Sequence, residues 1–277
     1  MKRITFAFIY SLLFSSQVYA WTINADFEKG SPGTMAVGSD GFTGTAGRSY
    51  YSNQKVHSGN QSAQLNIEKG ATGFGIWGGA FSYPSKLYEG DEVWFRLWIY
   101  FPNDFSFTCT SCSQGVKFMR IHTASSSSAN QGYHSTLING NIELDTEVNG
   151  KEFSANNKKS LGEKNVGNKV TTGGWQAYEQ YIKFSSVSGQ GVYRVWQDGK
   201  LVFEDLDTAT LRSSSSISDL IYLFTYWNNG APKTQSAYVD DIIVTNERPD
   251  TLDANGNPYV GLGDFKSVVA PRPPLWN

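Results

Sequence analysis

Apolar and polar residues alternate at every second position in run after run of this chain, and almost no segment after residue 20 has the 3.6-residue period of a helix. Side chains two residues apart lie on the same face of a strand, so this alternation predicts strands that bury one face. Val, Ile, Tyr, Phe and Trp, which favour strands, dominate the runs. The runs cover residues 92–101, 116–122, 141–148, 178–184, 191–197, 201–204, 220–227 and 237–244. We therefore predict an all-β fold, a jelly-roll sandwich of two antiparallel sheets.

Turn residues separate the runs, and nothing divides the chain into domains. Asp198 and Gly199 lie between two predicted strands and favour a type I′ turn, since both accept a positive φ. No internal repeat or Pro-rich linker interrupts residues 21–277, so we expect one domain. Residues 151–169, rich in Asn, Lys and Gly, predict a long loop of the kind that often borders a binding groove. From about residue 248, the spacing of Pro and Gly predicts an irregular strap over the sandwich.

The first twenty residues have the pattern of a secretory signal peptide. A basic start is followed by a mostly apolar stretch, and the small residues Val18 and Ala20 precede a cleavage site before Trp21. The apolar stretch is too short to cross a hydrocarbon core of about 30 Å, so no membrane insertion is expected. We predict a secreted or periplasmic protein.

The charge balance excludes one class of partner. The chain has 23 Lys and Arg against 25 Asp and Glu, a net charge of −2, whereas a nucleic-acid-binding protein needs a basic face to neutralise phosphates. Aromatic residues make up 14% of the chain and supply enough apolar area to argue against disorder.

Cys109 and Cys112 are the only cysteines. A C-x-x-C motif with no second pair and no flanking histidine is a weak metal or redox signal. Exported proteins meet an oxidising environment, so we predict a local disulfide. A loop this short contributes little chain entropy, and the bridge would shape a loop more than it stabilises the fold.

An unusual polar set lies on the run at residues 116–122. Alternation puts Phe118, Arg120 and His122 on one face and turns Met119 and Ile121 into the core. His134 follows near the start of the next strand, and a Ser-rich hairpin could bring it close to His122. An arginine beside histidines would form an acid/base site with a cation for a charged substrate; a solvated outer face is the alternative.

Three carboxylates follow on the run at residues 141–148. Glu143, Asp145 and Glu147 share one face, and their mutual repulsion gives a purely structural strand little reason to hold them together. The E-x-D-x-E spacing resembles the catalytic motif of laminarinase-type retaining glycoside hydrolases. An acidic outer face remains the alternative.

Aromatic and polar side chains share faces on three later runs. Alternation predicts that the side chains of each run lie together on one face, where they could stack on or bind a sugar. The alternative is that they are buried in the core. The substrate-binding candidates are Glu179, Arg194, Trp196 and Tyr222, with Tyr181 and Tyr226 beside them.

Oxygen donors come from three distant segments. We expect Glu28 and Asp240 or Asp241 to supply carboxylates, and Ser58 and Asn60 to supply turn oxygens, to a hard cation such as Ca²⁺. This set resembles the structural calcium site of jelly-roll carbohydrate modules; turn and capping hydrogen bonds are the alternative.

Two long segments carry a resemblance to a known family. Residues 175–184 with 191–202, and Tyr226-Trp-Asn-Asn-Gly followed by residues 238–244, are similar to secreted concanavalin A-like polysaccharide lyases. The match is to the group related to glucuronan and alginate lyases, which includes lyase-like proteins of cellulolytic fungi and their bacterial homologues. It covers roughly residues 23–246.

The resemblance implies β-elimination on a uronic-acid polysaccharide in a cleft on the concave sheet. Arg120 would neutralise the uronate carboxylate, His122 or His134 would remove the C5 proton, and Tyr226 or Tyr181 would donate a proton. A monomer that binds only its polysaccharide is expected. A carbohydrate-binding protein without catalysis and a retaining hydrolase using Glu143, Asp145 and Glu147 remain the alternatives.

Overall fold

The computed structural model describes residues 19–44, 47–73, 77–107, 116–124, 131–139, 143–150, 153–160, 169–207, 209–227 and 229–266. Within these ranges the regular elements are strands, joined by turns and short bridges. For residues 143–150 and 153–160 it describes the backbone only. The described residues include no helix that is long and apolar enough to span a membrane.

Fourteen strands form two antiparallel sheets. The strands are β1 Thr22–Ala25, β2 Ser49–Ser52, β3 Ser62–Ile67, β4 Gly79–Leu87, β5 Glu92–Tyr100, β6 Val116–Ala124, β7 Gln131–Asn139, β8 Glu143–Gly150, β9 Phe153–Ser160, β10 Trp175–Lys183, β11 Val192–Gln197, β12 Lys200–Asp205, β13 Ser218–Trp227 and β14 Gln235–Thr245. The eight-stranded sheet has the order β12-β11-β10-β5-β14-β3-β2, with β1 also paired to β14, and the six-stranded sheet has the order β4-β13-β6-β7-β8-β9.

The two sheets pack face to face around one hydrophobic core. Alternate residues of β5, including Phe95, Leu97 and Ile99, are fully buried in it, and they meet Met119 and Ile121 of β6 from the other sheet. Burying the inner faces of two sheets is what stabilises a sandwich. The predicted jelly-roll sandwich is confirmed, and each sheet is left with one outer face.

The period-two alternation located the strands well. Each of the eight runs overlaps one observed strand, and the ends differ by at most a few residues. The turn between β11 and β12 has φ of 48° at Asp198 and 74° at Gly199, as the type I′ prediction requires.

The expectation of a long loop over residues 151–169 is wrong for part of that segment. Phe153–Ser160 forms β9 and pairs with β8, although its Asn, Lys and Ser residues carry little apolar pattern. An edge strand needs hydrogen bonds on one side only, so weak hydrophobicity does not prevent it from pairing. Cys109 and Cys112, and most of the predicted signal peptide, lie outside the described residues.

The C-terminal segment crosses the outer face of the eight-stranded sheet, as predicted for a strap. Trp94, Tyr181 and Trp196 form a second buried cluster there with Val260, and Tyr259 and Phe265 pack against it. Four side chains of the sheet bond to the strap. Trp94 Nε1 donates to the Pro258 carbonyl, Arg96 Nη1 to the Gly261 carbonyl and Trp196 Nε1 to Asp253, and the Glu179 carboxyl accepts from the backbone of residues 260 and 261.

Candidate active site

Arg120 and His122 lie on the outer face of the six-stranded sheet, whereas Phe118 does not. Phe118 is fully buried and packs edge-on against Tyr178 in the core. The cause is a bulge between Lys117 and Met119, where β6 has one residue more than β7. A bulge reverses the alternation locally, so Lys117 lies on the outer face where alternation predicted Phe118.

Arg120 is held between two residues of β7. Its Nε donates to Ser135 Oγ at 3.0 Å, and its guanidinium lies over the ring of Tyr133, 3.7 Å from the centroid. Ser135 is the direct register partner of Arg120, which places their side chains on one face. The guanidinium is 4% exposed, so Tyr133 and Ser135 keep a buried cation in one orientation.

His122 pairs with a carboxylate on the neighbouring strand. Its Nδ1 lies 2.6 Å from Asp219 Oδ1, and its Nε2 is buried with no hydrogen-bond partner among the described residues. Asp219 reaches the ring because β13 has a register shift between Ser218 and Leu220. The bond from His122 lowers the pKa of Asp219, so the carboxylate stays ionised and favours the tautomer with the proton on Nδ1. That tautomer leaves Nε2 able to accept a proton.

Tyrosines complete this face. The Tyr133 ring lies 5.2 Å from the His122 ring and 6.3 Å from that of Tyr222, which is the register partner of Arg120. Burial raises the pKa of Tyr133 although the charge of Arg120 opposes the shift, and the phenol therefore keeps its proton at neutral pH. The sequence predicted Tyr222 as a sugar contact, and the structure brings it to Arg120.

A second cation lies along the same face. Lys117 Nζ is 5.6 Å from the ring centroid of Tyr226, its register partner on β13. Lys117 and Arg120 lie opposite Leu137 and Ser135, which are two residues apart on β7, and this corresponds to about 7 Å at 3.3 Å per residue. The register of β8 puts positions 145 and 147 on the same face, so the face combines cationic and acidic positions.

His134 is separated from His122 by the sheet itself. It pairs with Ile121 and therefore faces the core, where it is 0% exposed and donates through Nε2 to the Thr210 carbonyl at 2.9 Å. Burial lowers its pKa to about 4, so the ring is neutral at physiological pH. The expectation that a hairpin brings the two histidines together is wrong. The register partner of His122 is Tyr133, and His134, the next residue along β7, points to the opposite face of the sheet.

Four candidates from the aromatic runs lie on the other sheet. Glu179, Tyr181, Arg194 and Trp196 do share one face, as alternation predicted, but it is the outer face of the eight-stranded sheet. The strap covers Trp196 and Tyr181, which are 1% and 5% exposed. The structure therefore does not bring Tyr181 or Trp196 to Arg120, since the whole core lies between them.

The three carboxylates of the E-x-D-x-E motif lie on β8. Its register puts Glu147 opposite Ser135, Asp145 opposite Leu137 and Glu143 opposite Asn139. Position 147 is thus two strands away from Arg120, on the side of the sheet that ends at β9. The side chains of β8 lie outside the described part of the structure, and the roles of these carboxylates stay predictions.

The proposed calcium ligands form hydrogen-bonded turns. The Glu28 carboxylate accepts from the backbone of Asn60 and Gln61, and the Asp240 carboxylate from the backbone of His57 and Ser58. A carboxylate occupied by N–H donors presents fewer lone pairs to a cation.

No three or more His, Cys, Asp or Glu side chains in the described ranges come together as a metal-binding group. The residues as placed do not fit a calcium ion, and they tie the 57–61 turn to both chain ends. The calcium ion implied by the resemblance stays a prediction, and the melting temperature with and without a chelator would test it.

A family model described as polysaccharide lyase matches residues 20–243. The chain belongs to the polysaccharide lyase family. The enzyme class and the family expected from the sequence are confirmed. A comparison of this lyase with curated proteins gives no match.

Solved structures of other lyases share the fold of this lyase. Alginate lyase Aly36B has a TM-score of 0.55 at 13% identity, covering 80% of this chain and 96% of that chain. Endo-β-1,4-glucuronan lyase from the fungus Trichoderma reesei has a TM-score of 0.50 at 14% identity, covering 72% and 86%. Alginate lyase vAL-1 from Chlorella virus has a TM-score of 0.52 at 14% identity, covering 72% and 89%. At these identities the likeness establishes the jelly-roll fold that the lyases share.

Sequence reasoning missed Tyr133, Lys117 and Asp219 at this site of the lyase. Tyr133 and Ser135 alternate with His134 on β7, so the choice of His134 as the site residue selected the wrong face of that strand. The weak clue to Asp219 was an acidic residue at the start of the run at residues 220–227. No sequence pattern indicated the bulge that exposes Lys117.

Proposed function

We propose that this lyase cleaves a uronic-acid-containing polysaccharide by β-elimination on the outer face of its six-stranded sheet. The observation that carries the proposal is the cluster in which Arg120, His122 and Tyr133 meet, with Asp219 on the far side of the histidine. It brings a cation, a proton acceptor and a proton donor next to each other. These are the three groups that β-elimination needs.

Each group has one role in the proposed reaction. Arg120 binds the uronate carboxylate and neutralises it, which acidifies the proton on the adjacent C5. His122 Nε2 takes that proton, and Asp219 stabilises the imidazolium that forms. The electron pair of the C5–H bond becomes the C4=C5 double bond as the C4–O bond breaks, and Tyr133 protonates the departing oxygen. The products are an unsaturated uronate and a shortened chain.

Access to the buried groups depends on Tyr133. Arg120 and His122 are 4% and 6% exposed, and the Tyr133 ring covers the guanidinium. Substrate binding therefore turns this ring aside, exchanging its cation–π contact for the carboxylate's ion pair with Arg120. Lys117, Tyr222 and Tyr226 would hold the neighbouring sugars, where partly exposed rings can stack on sugar faces.

The decisive assay follows the unsaturated product by its ultraviolet absorbance on glucuronan, alginate, pectate, ulvan and glycosaminoglycans. We expect activity on at least one of them and a loss of roughly 10²–10⁴-fold in kcat for Tyr133→Phe and His122→Ala. Tyr133→Phe retains the ring over Arg120, so it isolates the hydroxyl. Tyr88→Phe, at an exposed turn residue, is the matched control.

Two results would contradict this mechanism. Release of reducing ends without the chromophore, abolished by Glu143→Gln or Glu147→Gln, would indicate a hydrolase. Full activity in both single variants, Tyr133→Phe and Arg120→Ala, would place the chemistry elsewhere on the molecule. Localisation is proposed separately, as export after cleavage of the signal peptide.

A further inference from the structure

Aromatic rings also cluster on the outer face of the eight-stranded sheet; three are partly exposed and the fourth, Tyr238, is buried. Trp98, Tyr100, Trp175 and Tyr238, here called the aromatic platform, come from β5, β10 and β14. The ring of Tyr100 lies 5.7 Å from that of Trp175 and 6.3 Å from that of Tyr238, its two register partners. Their neighbours on β5, Leu97 and Ile99, are in the core, so the platform faces outward.

The strap leaves this part of the sheet uncovered. It packs on Trp94, Tyr181 and Trp196, whereas Trp98, Tyr100 and Trp175 are only partly buried. Adjacent strands are about 4.8 Å apart, so three rings on neighbouring strands span roughly 10 Å across the sheet. The ring planes of Trp175 and Tyr238 are inclined by 57° and 73° to that of Tyr100, and Lys55 Nζ lies 5.0 Å from the Tyr100 centroid. Sugar rings could stack on the exposed parts of this uneven surface.

A cavity of about 420 Å³ adjoins the platform at Trp98. This volume lies within the range of roughly 300–1,000 Å³ typical of small-molecule sites. His57 stacks on Trp98 with 3.9 Å between ring centroids and bonds to Asp241, and Phe265 and Asp264 form the strap side of the cavity. Arg96, 4% exposed, also lines it, and its Nε has no hydrogen-bond partner.

The charges of the cavity select the kind of sugar. Asp241 and Asp264 supply two carboxylates against the single guanidinium of Arg96, so a further carboxylate would be repelled. Hydroxyl groups can donate to the carboxylates and accept from the guanidinium. The catalytic face differs, since it holds Arg120, the group proposed above to bind a uronate carboxylate.

We propose that the aromatic platform and its cavity form a second saccharide-binding site, specific for neutral sugar chains. It lies on the opposite side of the core from the catalytic cluster and does not depend on the uronate mechanism. Its occupant is a neutral polysaccharide, or a neutral stretch of a mixed one, bound by stacking on Trp175 and Tyr100 and by hydroxyl contacts in the cavity beside Trp98.

Affinity electrophoresis tests the proposal with hydroxyethylcellulose, arabinoxylan and galactomannan as neutral probes and with alginate and glucuronan as anionic ones. We expect retardation by at least one neutral polymer, weakened about tenfold in Trp175→Ala and in Tyr100→Ala, since a few aromatic anchors carry most of such binding energy. Asp264→Ala, at an exposed strap residue, should weaken it as well without exposing core. Tyr88→Ala is the matched control and should bind as the unmodified protein does.

Turnover of a soluble polyuronate should be unchanged in all four variants, which separates this site from the catalytic one. The proposal is overturned if no neutral polymer retards the protein, or if retardation survives in Trp175→Ala, Tyr100→Ala and Asp264→Ala alike. Retardation that Tyr133→Phe or Arg120→Ala abolishes would assign binding to the catalytic face. A change in sedimentation coefficient in Trp175→Ala would identify the platform as a contact between two copies of the chain.

Discussion

Asp219 contacts His122 but would not touch the substrate, and its role is to fix the tautomer of the ring. We expect Asp219→Asn to fold normally and to lower kcat by roughly 10²-fold or more, because an amide can present its NH₂ group to Nδ1 and move the proton to Nε2. The measurement is kcat with the ultraviolet assay, together with its pH profile. A changed pH profile at an unchanged melting temperature distinguishes a positioning role from simple damage to the fold.

Asp207→Asn is a suitable control, because Asp207 is an exposed residue far from β6. Unchanged kcat in Asp219→Asn would show that the carboxylate does not position the base.

Glu179 should make stability depend on pH. Burial raises its pKa to about 8, against 4.5 ordinarily, although two backbone N–H groups of the strap and the charge of Arg96 lower it; Asp253 and Tyr259 also face it. The raised pKa means that the unfolded state loses the proton first. The contribution of the protonated group is therefore complete below about pH 4.5 and is lost as the pH rises towards 8.

We expect the difference in unfolding free energy between the unmodified protein and Glu179→Gln to change over this pH window, the unmodified protein losing more stability as the pH rises. Each pKa unit corresponds to roughly 1.4 kcal/mol. Urea denaturation at several pH values measures it, with Glu247→Gln as control. Parallel pH curves for the unmodified protein and Glu179→Gln would mean that Glu179 is ionised in the fold throughout.

At the same scale, sequence reasoning put Arg120 and His122 on one face, as observed, and misplaced His134, for one physical reason. Alternation within a strand is local and follows from backbone geometry. Which face of the next strand looks outward depends on hairpin register, and a shift of one residue exchanges Tyr133 for His134. The register of β6 with β7 is set by packing across the sheet, which one sequence does not reveal.

Among the elements, the strap depends on one carboxylate. Asp253 accepts hydrogen bonds from the backbone of Asn255 and Asn257, from the Asn257 side chain and from Trp196 Nε1. We expect Asp253→Ala to lower the unfolding free energy by about 1–3 kcal/mol, because buried donors lose their acceptor. Chemical denaturation followed by tryptophan fluorescence should detect this, since Trp196 lies beneath the strap.

Asp250→Ala provides the comparison for that experiment, because Asp250 is an exposed strap residue. Equal stability of the two variants would mean that the strap is held by its apolar contacts alone.

The strands with a clear alternating pattern were predictable, and the irregular parts of the same strands were not. Bulges on β6 and β13 decide that Lys117 and Tyr226 share the face of Arg120. A bulge leaves one residue unpaired, and no pattern in the amino-acid sequence indicates where it occurs. Similarly, β9 forms by pairing with β8, and its own residues would not have indicated a strand.

For the whole molecule, fold class follows from the sum of many alternating runs, and that sum tolerates local errors. The candidate site could be located only from the sheet order. Arg120 and Trp196 lie on strands whose alternation is equally clear, but these strands belong to different sheets. Nothing in the alternation distinguishes an outer face that a strap covers from one that stays open.

The proposed export of the chain gives a prediction at this scale. We expect the mature chain to begin at Trp21, because Trp21 is buried and its backbone nitrogen donates to Asn246 at 2.7 Å, a bond that a free amino group retains. Intact-mass spectrometry of protein expressed with its leader and recovered outside the cytoplasm would measure this. A mass corresponding to the uncleaved chain would contradict both the cleavage site and the proposed export.

Both described ends of the chain lie on the side of the eight-stranded sheet. The Tyr19 carbonyl accepts from Asn246 just after β14, and the Lys266 carbonyl accepts from Asp250 within the strap. A resin linker attached at residue 19 or residue 266 would therefore start on the side of the molecule away from Arg120 and its neighbours. Immobilised there, the enzyme should remain open to large, viscous substrates.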